Sequence, residues 1–172
     1  MKTSSPKNTT LALIDLENLL GSNRDLPTKE LRPHCLALKK ALGILGPRVR
    51  LVFGTGPSLA ERAGCLITQE VFPGSRFVLG RGVDGADHAL LEAESIKGIA
   101  RQYSRVIFCS GDGIFTGLAL RLALQGLDVG VLARPSSLSA RLRKAARWVM
   151  PFEDIPMDFS QANCGPDLDE IS

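Results

Sequence analysis

The sequence predicts an α/β domain: a three-layer sandwich around a mostly parallel central sheet of about five or six strands, with helices on both faces. Three observations carry that prediction. Short apolar runs rich in Val, Leu and Ile alternate along the chain with longer segments of helical periodicity. The runs are continuously apolar, as strands covered on both faces read, instead of alternating in and out. The 172 residues, 44% hydrophobic and 23% charged, suffice for one core of ordinary size. A single domain over residues 1–157 is expected.

Each element follows in order. Residues 10–15 are the first apolar run. A helix is expected within 28–45, with Thr28 as its N-cap and Pro33 tolerable only near its start. Residues 48–53 are the second strand candidate. Pro57 suits a first helical position and opens a helix over 58–67, while the preceding Gly54-Thr-Gly lacks a phosphate-binding lysine and reads as a turn. The third strand is 76–79, before a helix from about 84 to 101. The fourth is 105–109, before a helix over 114–125 that Gly126 ends. Residues 128–132 are the fifth, a helix follows over 137–146, and 147–150 are a sixth candidate. From about residue 158 the chain is polar and acidic and reads as a flexible tail.

Composition narrows the chemistry. No apolar run approaches the ~20 residues that span a bilayer. The first ten residues carry Lys2 and Lys7 without an apolar leader core, so a cytoplasmic protein with no membrane partner is expected. The four cysteines fall at no metal or redox spacing and read as reduced thiols. Two histidines, His34 and His88, cannot build a zinc site with them. Oxygen ligands are what remains for any metal.

Ligands of open α/β sheets bind beyond the carboxyl ends of the strands, and acids stand at three of those ends. Asp15 closes the first strand and is followed by Glu17 and Asn18. The segment after the third strand holds Asp84 and Asp87. The fourth runs into Cys109-Ser110-Gly111-Asp112. Bare carboxylates gathered there repel by about 1 to 4 kcal/mol per close pair. A divalent cation, Mg²⁺ or Mn²⁺, removes that cost with the hard oxygen ligation it prefers. Taken singly, Asp15 and Asp112 read as turn or N-cap acids; their convergence with a third acid puts the metal reading ahead. Asp84 and Asp87 compete for one role: a helix beginning near 84 turns Asp87 towards the strand ends and leaves Asp84 as a cap. Glu17 reads as a solvated loop acid. Ser110 reads as a turn former supporting the site, not as a nucleophile. Gly80-Arg-Gly-Val-Asp-Gly85 also matches a dinucleotide fingerprint, but on the third strand, where it leaves Asp15 and Asp112 unexplained.

The same residues resemble a family. Asp15-x-x-Asn18 after the first strand, Gly-Ala-Asp87-His-Ala-Leu-Leu, and Ser110-Gly-Asp112-x-x-Phe, in this order over residues 11–148, are similar to the NYN family of PIN-like nuclease domains. The resemblance implies a PIN-like, Rossmann-like fold and a Mg²⁺- or Mn²⁺-dependent ribonuclease. It implies Asp15, Asp87 and Asp112 as metal-holding catalytic residues, with Asn18 ordering the site. One departure is Ile114, where many members carry a further acid; Asp84 or Glu17 are the possible substitutes.

Net charge is only +3, but Arg134, Arg141, Arg143, Lys144 and Arg147 crowd a stretch without acids. They read either as the solvated face of an amphipathic helix or as a surface tracking RNA phosphates. Aromatics are only 5%, so base-stacking platforms find little support, and Tyr103 and Trp148 read as packing residues. The expectation is an RNA-cleaving enzyme, with a nucleic-acid-binding or regulatory module that lost catalysis as the alternative. A metal-dependent phosphatase on the same acids ranks third. DNA as substrate and a homo-oligomeric state stay open.

Overall fold

The computed structural model describes residues 9–152. The expected tail from 158, and the domain boundary at 157, lie outside the described residues. The strands are β1 (Thr10–Asp15), β2 (Val49–Thr55), β3 (Arg76–Leu79), β4 (Arg105–Cys109), β5 (Asp128–Ala133) and β6 (Trp148–Pro151). They form one sheet in the order β3-β2-β1-β4-β5-β6, with every neighbouring pair parallel. The sheet is thus wholly parallel, and strand order reverses between β1 and β4, where a crevice opens at the carboxyl edge.

The helices are α1 (Leu16–Leu20), α2 (Thr28–Gly43), α3 (Pro57–Cys65), α4 (Gly85–Glu92), α5 (Ile96–Gln102), α6 (Thr116–Leu124) and α7 (Ala140–Ala145). Side chains alternate across β1 and feed two cores. Ala12 and Ile14 pack with Leu31 and Leu38 of α2 and Leu59 and Ala63 of α3. Leu11 and Leu13 pack with Leu90 of α4, Ile99 of α5, Leu118 and Leu122 of α6 and Leu142 of α7. Each of these large aliphatics is buried and contributes about 1.5–3 kcal/mol through its transfer from water.

Several elements differ from expectation. The helix expected over 84–101 is two, α4 and α5, because Ser95 caps a new start by accepting from the Gly98 N–H at 3.0 Å. Thr28 is the first residue of α2 and not its cap, which is Pro27; its hydroxyl donates to the Arg62 carbonyl instead. Pro33 lies in the second turn of α2, which continues past it. Gly54 and Thr55 belong to β2, not to a turn. Pro57 opens α3 as expected, and a π-helical turn, Leu66–Val71, extends it. Tyr103 is buried, and Trp148 lies across Gly130 with its indole N–H donating to Asp128 at 3.2 Å, so both are packing residues. No helix among the described residues is long and apolar enough to cross a membrane.

Candidate active site

Asp15 shares its face of β1 with Leu13, so its side chain leaves the core at the carboxyl edge on the α4 side; it is only 4% exposed. One carboxylate oxygen, Oδ1, accepts from the Asn18 N–H at 3.1 Å and starts α1, a helix the sequence reading did not foresee. The other, Oδ2, accepts from the Ser110 hydroxyl at 2.9 Å. Ser110 Oγ in turn accepts from the Asp112 N–H at 3.1 Å. Ser110 is therefore more than a turn former: it ties the ends of β1 and β4 together. Asp112 Oδ1 accepts from the Ile114 N–H at 2.8 Å, opening a 3-10 turn. Both acids are thus caps and site residues at once, and the two roles do not compete.

Asn18 carries the loops. Its Oδ1 accepts from the Gly111 N–H at 2.9 Å and from the Ser137 hydroxyl at 3.3 Å, joining the segments after β1, β4 and β5. Glu17 is not a solvated loop acid. It sits on α1, partly buried, and its Oε1 accepts from the Gly56 N–H at 2.8 Å and the Thr55 hydroxyl at 3.4 Å, pinning the end of β2.

Asp87 comes from the other wall, one turn into α4, and is 7% exposed. Two glycine contacts bring it there. A Cβ on Gly54 would run into the Leu90 side chain and lie 2.9 Å from the Ala86 carbonyl oxygen, so only glycine lets α4 settle on β2. A Cβ on Gly85 would lie 2.8 Å from the Gly80 carbonyl carbon. The fingerprint-like Gly80–Gly85 run therefore serves a backbone-to-backbone contact that seats α4, and the acids beside it would repel a pyrophosphate. Asp84 occupies the N-cap position of α4 with φ 53°, and its side chain caps no N–H.

Asp15, Asp84, Asp87 and Asp112, with Asn18 and Arg24, line one cleft of about 340 Å³. Burial first, then the charge of Asp15 beside it, push the Asp87 carboxyl up to about 7; Asp112 and Asp84 add to this. Burial also raises Asp15, against the pull of the Asn18 N–H and the Ser110 hydroxyl. The two carboxyls lie close enough to share a proton. Asp87 Oδ1 is buried without a hydrogen-bond partner. Among the described residues, no group of three or more Asp, Glu, His or Cys side chains is already arranged to hold a metal ion. The donor set nevertheless fits a hard cation, because Mg²⁺ commonly takes one or two carboxylates and completes its shell with water.

Ile114 is half-buried and packs on the second core with α6 and α7. Arg134 belongs to the framework: its Nε donates to the Leu19 carbonyl at 2.6 Å, and its guanidinium sits 5.6 Å over the Phe152 ring. Arg141, Arg143, Lys144 and Arg147 are exposed on α7 and just beyond it. Ser139, which caps α7, donates its N–H to the Gly111 carbonyl at 2.8 Å, so α7 starts beside the Asp112 loop. Cys35, Cys65 and Cys109 are unpaired, and burial pushes the Cys35 thiol up to about 12, which leaves it inert.

No family model and no curated protein matches this chain. Among solved structures it is similar to a protein of unknown function from Vibrio parahaemolyticus, at 20% identity and a TM-score of 0.61, covering 88% of this chain and 97% of that one. It is also similar to YcaC from Pseudomonas aeruginosa, solved with hexane-2,5-diol and covalent acrylamide, at 19% identity and a TM-score of 0.46, covering 87% and 78%. The first likeness is one of fold.

Proposed function

We propose that this domain is a metal-dependent ribonuclease that hydrolyses RNA phosphodiesters in the acidic cleft at the β1/β4 crevice. The observation that carries the reading is the buried Asp87 carboxyl, set against Asp15 with one oxygen unpartnered in an open cleft. A folded chain gains nothing from such a pair unless a cation or a shared proton compensates it. Asp15, Asp87 and Asp112 would hold Mg²⁺ or Mn²⁺, which when bound supplies neutralisation of phosphate charge and a more acidic water. Asn18 and Ser110 keep Asp15 and Asp112 in place through the loops they join. The Asp15/Asp87 pair can retain a proton near neutrality and release it when positive charge arrives. RNA as substrate, like the ribonuclease activity itself, follows from the NYN resemblance. A cytoplasmic setting fits the unpaired cysteines.

The test is labelled single-stranded RNA incubated with Mg²⁺ or Mn²⁺, beside a chelated control and an Asp87→Asn variant. Cleavage that needs the metal and disappears with the variant is expected; cleavage that survives both overturns the reading. A non-catalytic RNA-binding module on the same fold is the second reading, favoured by the packing of Ile114. RNA retention without cleavage in any metal selects it.

A further inference from the structure

The proposed chemistry employs Asp15, Asp87 and Asp112 and leaves Asp84 without a task. Its position before α4 makes a helix cap the ordinary explanation, yet its side chain caps no N–H. Among the described residues it is the one non-glycine with positive φ, at 53°. Gly82, two residues earlier, has a similar φ of 81°, so a glycine at 84 would relieve the backbone. The charge is unfavourable as well. Asp84 lines the same cleft as three other aspartates, and its carboxylate is among the groups holding Asp87 in its protonated form. Neither backbone nor electrostatics accounts for an aspartate here in the cation-free protein.

A second observation points to what does. Asp87, itself more than nine-tenths buried, aims an unpartnered Oδ1 into this region. Asp84 and Asp87 are three residues apart at the start of one helix, a spacing that places side chains on one face. The Gly80–Gly85 contact fixes that helix start against the end of β3. Glu17, the other acid of the cleft wall, is already engaged by Gly56 and Thr55.

We infer that Asp84 is a ligand-supplying residue of the cation site, holding with Asp87 a Mg²⁺ or Mn²⁺ from the α4 wall of the cleft. This rests on the cation reading proposed above. Its test is the Mn²⁺-dependent rise in melting temperature of the full chain, titrated for wild type, Asp84→Asn and Asp87→Asn. Asparagine tolerates the left-handed conformation and removes only the charge. Asp84→Asn is expected to raise the half-saturating Mn²⁺ concentration about tenfold or more, with a metal-free melting temperature at or above wild type. Asp84→Gly, which relieves the backbone, should show the same weakening. An unchanged half-saturation in both Asp84 variants, with the shift lost in Asp87→Asn, overturns the inference and spares the cation site. A shift retained in Asp87→Asn overturns both.

Discussion

Replacing Asp87 by asparagine should stabilise the metal-free protein, and by an amount that depends on pH in a fixed direction. The folded chain keeps a proton on Asp87 up to about 7, whereas the unfolded chain releases it near 3.8. Between those values the folded state binds more protons, so stability is fully present below pH 4 and is lost as pH rises towards 7. At 1.36 kcal/mol per pH unit, some three units set a ceiling of about 4 kcal/mol on the loss. The cleft is open to water, which lowers the effective cost to about 2 kcal/mol. For a domain of this size that corresponds to a melting temperature higher by about 6 °C in Asp87→Asn at pH 8, shrinking to near zero at pH 4. The assay is thermal unfolding by circular dichroism, with chelator, from pH 4 to 8. His34, held below its usual value by burial and then by Arg134, drives stability the opposite way and is common to both proteins, so the difference isolates Asp87. Parallel pH profiles for the two proteins would refute the reasoning.

Other substitutions probe the neighbouring parts. Gly54→Ala should cost about 1–3 kcal/mol by forcing Leu90 and the Ala86 carbonyl away, and should abolish the Mn²⁺ shift because α4 carries Asp87 with it; chemical denaturation and the melting titration check this. Ile114→Asp should destabilise the fold by about 1–3 kcal/mol without raising RNA cleavage, since the side chain packs on the core instead of facing the cleft; denaturation and a cleavage assay decide. Changing Arg143 and Lys144 together to alanine should weaken RNA binding and flatten its log–log salt slope by about 1.4, at about 0.7 per phosphate contact. Fluorescence anisotropy without metal measures it, and the melting temperature should stay within about 1 °C because exposed charges contribute little.

How far the sequence foretold this can be traced residue by residue. The strands were legible because a doubly covered strand such as Leu11–Leu13 tolerates no polar side chain, and six such runs lie within a few residues of where they were expected. Asp15, Asp87 and Asp112 were legible because acids at strand ends need a reason, and the fold brings all three to one cleft. Glu17 was misread because its partners, Gly56 and Thr55, lie 38 and 39 residues away and no local pattern announces them. The break between α4 and α5 was missed although Ser95 is a good cap, because helical periodicity runs on across it. Gly54 carried a usable signal: a glycine inside an apolar strand marks a close approach, here that of α4. Arg134 was grouped with α7 by sequence proximity, while its partners Leu19 and Phe152 lie elsewhere in the chain.

The place of β1 bears on how the chain is made. It is the first strand to leave the ribosome and a central strand of the finished sheet, and every one of its residues ends up buried. Its partner β4 begins 95 residues later, at Arg105, paired with Thr10. At ordinary elongation speeds of about 5–20 residues per second, that separation amounts to roughly 5–20 s. Throughout this interval the strand Leu-Ala-Leu-Ile has β2 on one side and a bare row of backbone donors and acceptors on the other. A nascent chain stalled before residue 105, or a fragment ending there, therefore presents its most apolar strand as an open edge, where another copy can add by strand pairing.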